Sequence, residues 1–169
     1  SGGRRKMPAT PAVPVVAPQN VLIALLLLAF CLSKKYPLVV RRRWALKYRA
    51  AIFAALVSKT LHMLWLTHQT FLEHGEHPSH LQTTIGLVSQ GPFALSRNPY
   101  YECMLLSMLT FAVLFNTCWV FIATGVYFSF LQFSVIPAEE AFMAQYFQPE
   151  WDRYIEAVPR WAFRIASYE

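Results

Sequence analysis

The sequence predicts an all-α integral membrane protein, a helical bundle of about four transmembrane helices. Apolar residues make up 56% of the 169 residues, above the roughly 45–50% of an average soluble domain, and they are concentrated in long blocks. The longest block, residues 101–136, contains a single charged residue, Glu102. A soluble domain of this length has room in its core for one such block, whereas this chain contains three.

A proline-rich leader and a first membrane helix are predicted at the start of the chain. Four of the eleven prolines lie within residues 1–19, which we expect to form a mobile leader. Residues 21–32 are continuously apolar and reach about 18 Å as a helix. Because a membrane span needs about 30 Å, we expect the first helix to include residues 18–20 and 33–36 as well.

A second membrane helix is predicted over residues 50–72. Side chains that share one face of this helix recur at three- and four-residue steps: Ser58, Lys59, His62, Trp65 and Gln69. A charge near the middle of a membrane is costly and ordinarily faces protein or water, which favours an inward direction for this face. The alternative is that Lys59 reaches the headgroups from a tilted helix.

Residues 101–136 are long enough to cross the membrane twice, at about 54 Å in helical form. Asn116-Thr117 lies near the middle of this block, where we predict the turn of a helical hairpin. A new helix is expected to begin at Pro137, because proline and acidic residues favour the first helical turn. Glu139 and Glu140 supply those acidic residues.

A hairpin returns the chain to the membrane face that it left. We therefore expect Arg97, which precedes the hairpin, to meet Glu139 and Glu140, which follow it. A guanidinium presents paired donors suited to a carboxylate or phosphate, and a carboxylate binds a ribose diol or an ammonium. Together these groups suit a zwitterionic nucleoside such as S-adenosylmethionine. The alternative is a headgroup anchor at Arg97 and ordinary helix-start chemistry at the two acids.

The C-terminal residues 149–164 mix aromatic and charged side chains. Trp151, Tyr154, Trp161 and Phe163 are interspersed with charges, a composition typical of an interfacial helix whose rings lie at headgroup depth. We predict such a helix here.

The formal charge of +6 arises mainly beside the apolar segments. Ten of the fifteen Lys and Arg residues lie in residues 4–6 and 34–49, where basic residues set membrane topology or contact anionic lipids. We therefore expect no nucleic-acid binding. The positive-inside rule places residues 34–49 in the cytoplasm. If the first two segments are both full spans, the loop before the hairpin and the C-terminal tail then face away from the cytoplasm, whereas an enzyme that uses a cytosolic cofactor needs the opposite. The sequence leaves this conflict open.

The spacing of the cysteines and histidines predicts neither a metal site nor a disulfide framework. The three cysteines lie within or beside apolar runs and fit small core residues. The histidines between residues 73 and 90 fit a solvated loop, because their spacing does not imply a complete set of metal ligands. The six glycines also provide no glycine-rich turn of the kind that a soluble nucleotide-binding fold needs.

From about residue 85 onward, the chain carries an ordered series of short motifs. They are Gly91-Pro92-Phe93, Arg97-Asn98-Pro99-Tyr100-Tyr101, Glu139-Glu140, Phe147, Trp151, Tyr154 and Val158-Pro159. With the apolar hairpin between the second and third motifs, this series resembles the isoprenylcysteine carboxyl methyltransferase and phospholipid methyltransferase superfamily. Each motif is short, and the resemblance depends on their order and spacing over about half of the chain.

The resemblance implies a membrane-embedded methyltransferase with S-adenosylmethionine held at the cytosolic face. It implies one domain over residues 20–169, with the cofactor site in residues 85–164. The residues that it assigns to the cofactor are Leu87, Val88, Gly91, Arg97, Asn98, Pro99, Tyr101, Glu139 and Glu140. It assigns catalytic roles to Arg97, Glu140 and Tyr154. An apolar groove between the helices is expected to admit a lipid-borne or prenylated acceptor from the bilayer.

The chain departs from the family pattern at three positions. Cys103 and Gln148 replace family glycines, and Ala157 replaces a basic residue that is common in prenylcysteine enzymes. Arg153 and Arg160 are the nearest candidates to substitute for that basic residue. Isoprenylcysteine carboxylate is narrowly favoured as the acceptor over a phospholipid or another small amphiphile.

Two other classes of protein are alternatives. One is an NADPH-dependent oxidoreductase similar to sterol reductases, and the other is a non-catalytic membrane scaffold. For the methyltransferase and for both alternatives, the expected location is the endoplasmic reticulum or another endomembrane in a eukaryote, or the inner membrane in a bacterium.

Overall fold

In a computed structural model, which describes residues 16–40, 46–74 and 87–162, the regular elements are helices. Their bounds are α1 Pro18–Lys35, α2 Leu46–Glu73, α3 Pro99–Phe115, α4 Cys118–Phe130, α5 Ile136–Tyr146 and α6 Glu150–Ala157. A 3-10 turn, Gly91–Ala94, precedes α3, and a π turn, Leu131–Val135, joins α4 to α5. The predicted all-α membrane bundle is confirmed. Residues 1–15 of the predicted leader lie outside the described residues.

Three helices in the described ranges are long and apolar enough to cross a membrane. They are α1, α2 and the continuous helix Cys118–Tyr146, with mean hydropathies of 1.3, 1.4 and 1.7. α3 is a shorter apolar helix of 17 residues, or about 25 Å. These four segments match the expected number, and α1 takes in the flanking residues that its span needs.

The hairpin of α3 and α4 lies at the centre of the bundle. α2 packs against α3, and α1 packs against α4. Asn116 ends α3 in a left-handed conformation with φ of 51°, which asparagine tolerates better than most residues. The Thr117 hydroxyl then accepts a hydrogen bond from the Trp119 amide at 3.3 Å and caps α4. The turn therefore lies where the sequence predicts it.

The core follows the inner faces of the hairpin and continues into α5. Its fully buried side chains include Met108, Val120, Tyr127, Leu131 and Ile136. Large apolar side chains elsewhere are exposed, among them Leu27, Ile122 and Phe133. Such exposed apolar faces suit contact with lipid and would be a liability in water.

α4 and α5 form one continuous helix, so the prediction that a new helix begins at Pro137 is wrong. The amide of Ile136 donates to the carbonyl of Leu131, five residues earlier, which defines the π turn. Proline lacks an N–H and its ring clashes with the preceding helical turn. A π turn directly before Pro137 changes the local hydrogen bonding and lets the helix continue. The two glutamates are therefore carried by an extended helix.

Residues 36–40, which follow α1, and the start of α2 lie at the hairpin-turn end of the bundle. The Val40 amide donates to the Asn116 carbonyl at 3.3 Å. Arg49 donates from Nε to the Val113 carbonyl at 3.3 Å and from Nη2 to the Leu114 carbonyl, which satisfies carbonyls at the end of α3. The opposite end of the bundle gathers the end of α2, the start of α3, and α5.

α6 is shorter than the helix predicted over residues 149–164. Its Trp151 and Tyr154 are buried and pack with Val158 against Phe147. Trp161, beyond the end of α6, is buried as well. These three rings therefore face protein, and the prediction that they face headgroups is wrong. Phe163 and residue 164 of the predicted helix lie outside the described residues.

Candidate functional site

Arg97 and Glu140 meet at the end of the bundle opposite the hairpin turn, as the sequence predicts. Nη2 of Arg97 lies 3.0 Å from Oε1 of Glu140, and the two side chains are 13% and 21% exposed. Partial burial makes this ion pair stronger than one on an open surface, because less solvent screens it.

Arg160 completes a cluster of three charges with these two residues. Its Nε lies 3.1 Å from Oε1 of Glu140, and its Nη2 contacts Oε2. The two contacts form a bidentate interaction with one carboxylate. Arg153, the other candidate to replace the missing basic residue, is exposed on α6. One carboxylate between two guanidinium groups leaves the cluster with an excess positive charge.

The segment after α6 lies across the start of α3 and places Arg160 in the cluster. The Arg97 amide donates to the Pro159 carbonyl at 2.9 Å. The Asn98 side-chain amide and the Ser96 hydroxyl both donate to the Arg160 carbonyl, at 3.0 and 3.2 Å. Asn98, predicted as a cofactor residue, thus positions Arg160 through its backbone.

The guanidinium of Arg97 has one donor without a partner among the described residues. Nη1 lies 3.4 Å from the Ile155 carbonyl, and the guanidinium carbon lies 5.9 Å from the centroid of the Trp151 ring, within cation–π range. Nε is buried and has no hydrogen-bond partner among the described residues. A buried charged donor of this kind is costly until an acceptor satisfies it.

The two adjacent glutamates have different partners. Glu139 accepts a hydrogen bond from the Tyr101 hydroxyl at 2.6 Å, whereas Glu140 binds the two arginines. Tyr101 is buried, and Pro99, also buried, occupies the first turn of α3. The Tyr101–Glu139 bond therefore ties the start of α3 to α5 beside the charge cluster.

Gly91 occupies a position that requires glycine. Its φ is +58°, and a Cβ built there would lie 2.6 Å from Oγ1 of Thr70 on α2. Leu87 and Val88, also predicted as cofactor residues, are less exposed than Gly91. Val88 is buried, and Leu87 packs against the cluster of Trp151, Tyr154 and Val158. These contacts bring the 3-10 turn against the end of α2.

Tyr154 ties α6 to the 3-10 turn. Its hydroxyl donates to the Phe93 carbonyl at 2.7 Å. Burial raises the pKa of Tyr154 above its ordinary value, and the charge of nearby Arg97 opposes this only in part. The phenol is therefore neutral at physiological pH. Its catalytic role stays a prediction.

An apolar groove of about 1320 Å³ lies between α2, α3 and α4. Apolar side chains that line it include Met63, Leu66, Leu105, Leu106, Leu109 and Phe128. Leu95 and Ala162 also line it, and each is two residues from an arginine of the charge cluster. The groove and the cluster are therefore neighbours in the fold.

The polar face predicted on α2 divides between the groove and the exposed surface. Lys59, Trp65 and Gln69 line the groove, and Lys59 and Trp65 are at the same time exposed. Ser58 and His62 are exposed and do not line it. The buried face carries three threonines whose hydroxyls bond to carbonyls one turn earlier: Thr60, Thr67 and Thr70.

Glu102 also lines the groove, and the sequence interpretation gave it no role. The signal was present, because a carboxylate inside a predicted membrane helix is a candidate functional residue by default. In the described ranges, no group of three or more His, Cys, Asp or Glu side chains is placed to hold a metal ion.

Comparison with known proteins gives one family and one relative. A family model described as "Phospholipid methyltransferase" matches residues 50–150, more than half of the chain. "Cobalt-zinc-cadmium resistance protein CzcN" of Cupriavidus metallidurans is 32% identical over 82 residues, which are 48% of this chain and 38% of that protein. The chain thus spans less than half the length of this relative. No solved structure matches the chain.

Proposed function

The chain belongs to the phospholipid methyltransferase family, and on that premise we propose that it transfers a methyl group from S-adenosylmethionine to a lipid-like acceptor. The observation that carries the proposal is the charge cluster of Arg97, Glu140 and Arg160 beside the apolar groove. The cluster offers a site for a charged nucleoside, and the groove offers one for an apolar chain.

The donors of the charge cluster fit the polar end of S-adenosylmethionine, which carries a carboxylate and an ammonium. Nε of Arg97 is buried and has no acceptor among the described residues, and two guanidinium groups share one carboxylate. We assign the carboxylate of the cofactor to Arg97 and Arg160. A carboxylate oxygen accepts more than one hydrogen bond, so Glu139 and Glu140 are assigned to the ammonium and the ribose hydroxyls.

The other residues of the predicted set form the surroundings of that site. Leu87, Val88 and Gly91 are proposed to contact the cofactor through their backbone. Pro99 and Tyr101 fix the start of α3, and Tyr101 orients Glu139 through its hydroxyl.

Bound S-adenosylmethionine supplies a methyl group on a positively charged sulfur, which is already an activated leaving group. The protein therefore needs no nucleophile of its own and acts by alignment and exclusion of water. The charge cluster holds the charged groups of the cofactor at the end of α3. The apolar side chains of the groove keep water from the acceptor.

The acceptor is proposed to be an amphiphile whose apolar chain enters the groove from the bilayer. The volume of about 1320 Å³ exceeds the roughly 300–1,000 Å³ of pockets for drug-sized ligands, so a long chain has room. Isoprenylcysteine carboxylate, which the sequence narrowly favours, and a phospholipid are both acceptors of this type. They differ in the head group that must lie near the charge cluster.

Calorimetry on the full chain in detergent tests the proposal. We expect S-adenosylhomocysteine to bind and NADPH not to bind, and we expect transfer of labelled methyl groups to a lipid acceptor. Binding of NADPH alone would support the reductase-like alternative and overturn the assignment. Binding of neither compound would favour the non-catalytic scaffold.

A further inference from the structure

The hairpin-turn end of the bundle carries three lysines that the proposed methyl transfer does not use. Lys34 and Lys35 lie in the last turn of α1, and Lys47 lies in the first turn of α2. All three side chains are exposed. We call these three residues the basic surface.

The hairpin turn holds both parts of the basic surface at one end of the fold. The indole N–H of Trp119 donates to the Tyr36 carbonyl at 2.7 Å, and this contact fixes the chain directly after α1. The Cys118 amide donates to the Leu38 carbonyl at 2.8 Å. Arg49 donates to carbonyls at the end of α3, so the start of α2 is anchored to the same hairpin. The guanidinium of Arg49 thus has a structural role, and the three lysines remain accessible to a ligand.

The acidic residues of the described ranges lie at the opposite end of the bundle. They are Glu73, Glu102, Glu139, Glu140, Glu150, Asp152 and Glu156. The ion pairs between described side chains both involve Glu140, so no described carboxylate neutralises the basic surface. The described part of the hairpin-turn end therefore carries a net positive charge.

Helix chemistry explains the lysines of α1 but not the lysine of α2. Cations stabilise the C-terminus of a helix, which suits Lys34 and Lys35. The N-terminus of a helix carries a partial positive charge of its own, and the first turn of α2 contains no acidic residue. Lys47 is therefore in an unfavourable position until an anion approaches it.

Each lysine of the basic surface lies over an aromatic ring, with Nζ 5.1–5.4 Å from the ring centroid. The pairs are Lys34 with Phe30, Lys35 with Tyr36 and Lys47 with Tyr48. Tyr36 and Tyr48 are more than half exposed, and so is the apolar side chain of Leu46. Exposed rings, apolar side chains and lysines in one place are typical of the depth at which lipid headgroups lie.

We propose that the basic surface binds the headgroup of an anionic lipid, whose phosphate has no ammonium group to balance its charge. Lysines at a membrane surface attract such headgroups, and exposed Leu38 and Leu46 provide apolar contacts for the lipid chains. The charge cluster lies beyond the other end of α3, whose 17 residues extend about 25 Å. The lipid bound here is therefore a different molecule from the acceptor of the proposed reaction.

The triple variant Lys34→Gln, Lys35→Gln, Lys47→Gln tests the site in the full chain in detergent. Dioleoylphosphatidylglycerol and dioleoylphosphatidylcholine are titrated separately, and thermophoresis of the labelled protein measures each affinity. We expect wild-type protein to bind the anionic lipid about tenfold more tightly than the zwitterionic one, and the triple variant to lose this preference. Added salt should reduce the preference of wild type, because counterions screen exposed charges.

The matched control is the triple variant Lys34→Arg, Lys35→Arg, Lys47→Arg, which keeps the three charges and should keep the preference. Arg153→Gln removes an exposed cation from α6, at the opposite end of the bundle, and should bind both lipids as wild type does. Thermal unfolding in detergent confirms that each variant is folded.

Four outcomes overturn the inference. Equal affinity of wild type for the two lipids would show that charge is not read, and an unchanged preference in the glutamine variant would show that the lipid binds elsewhere. Loss of the preference in the arginine variant would show a structural role for the lysines. Displacement of the lipid by inorganic phosphate or polyglutamate would show a site for soluble anions. These measurements do not depend on methyl transfer, so their failure is distinguishable from failure of the proposed function.

Discussion

The guanidinium of Arg97 lies 3.0 Å from the carboxylate of Glu140, although the whole α3–α4 hairpin separates these residues in sequence. The pair exists because the hairpin turns at Asn116 and returns the chain to the membrane face where α3 begins. Arg160 reaches the same carboxylate from beyond α6. The charge cluster is thus assembled by three separate parts of the chain.

Arg97→Ala and Glu140→Ala should each weaken binding of S-adenosylhomocysteine by about tenfold, or about 1.4 kcal/mol. The first change removes the buried donor that has no partner among the described residues. The second leaves two guanidinium groups without their shared carboxylate, so that they repel each other. Calorimetry in detergent measures both affinities.

Arg153→Ala is the control for this pair, because Arg153 is exposed on α6. It should bind as wild type does. Unchanged affinity in both Arg97→Ala and Glu140→Ala would remove the site hypothesis.

Gly91→Ala should destabilise the protein by about 2–3 kcal/mol. The left-handed φ of +58° costs a non-glycine residue about 1–2 kcal/mol, and the new methyl would lie 2.6 Å from Oγ1 of Thr70, which adds an overpacking cost of about 1 kcal/mol or more. The midpoint of thermal unfolding in detergent reports the loss.

The double variant Gly91→Ala, Thr70→Ala removes the clash but keeps the strained φ. It should be more stable than the sum of the two single changes predicts, since their coupling is favourable. Strict additivity of the two changes would show that the new methyl group at position 91 does not clash with Thr70.

The hairpin was predictable because a turn-forming Asn-Thr pair interrupts an otherwise apolar block. The contact between Arg97 and Glu140 then follows, because a hairpin returns the chain to the membrane face from which it started. The continuous helix through Pro137 was not predictable in this way, because the π turn depends on a hydrogen bond from Ile136 to Leu131 that composition does not reveal. Propensity rules alone favour a helix start at that proline.

The partner of Arg160 could not be predicted for a different reason. Its position depends on the path of residues 158–162 across α3, which is set by hydrogen bonds from Arg97 and Asn98 to backbone carbonyls. Such tertiary contacts leave no periodic pattern in the sequence. The environment of the aromatic residues in α6 could not be predicted either. Trp151 and Tyr154 pack against protein side chains, and composition alone does not distinguish such a contact from one with lipid headgroups.

Tyr101→Phe should lower the free energy of unfolding by about 1–3 kcal/mol. The change removes a 2.6 Å hydrogen bond to Glu139 from a buried side chain and so loosens the contact between α3 and α5. Tyr146→Phe on α5 is the control, because no described residue hydrogen-bonds its hydroxyl. Equal stability of Tyr101→Phe and wild type would contradict this role.

The stability difference between wild type and Tyr154→Phe should depend on pH only in the alkaline range. Burial raises the pKa of Tyr154 above its ordinary value of about 10, so the folded state holds this proton more tightly than the unfolded state. The resulting stabilisation is fully present below about pH 10 and is lost as the pH rises towards the pKa of the folded state.

Thermal unfolding of both proteins from about pH 7 to about pH 11 tests this sign. The difference should be constant at first and then shrink, because only wild type loses the contribution of Tyr154. A difference that stays constant up to about pH 11 would show that burial does not raise this pKa.

Gly125→Leu should block the acceptor without harming the fold or the cofactor site. Gly125 lines the groove from α4, and a Cβ built there meets no atom within 4 Å, so a larger side chain extends into open space. Leucine is also the better helix former, by about 0.8 kcal/mol. We expect unchanged affinity for S-adenosylhomocysteine, unchanged or higher thermal stability, and a KM for the lipid acceptor raised about tenfold.

Ala54→Leu, on an exposed position of α2 outside the groove, controls for the added apolar volume and should leave the KM unchanged. If Gly125→Leu methylates the lipid acceptor as well as wild type does, the acceptor chain does not occupy this groove. A loss of cofactor binding in the same variant would show that the groove and the charge cluster are not separate sites, because leucine at this position reaches only the groove.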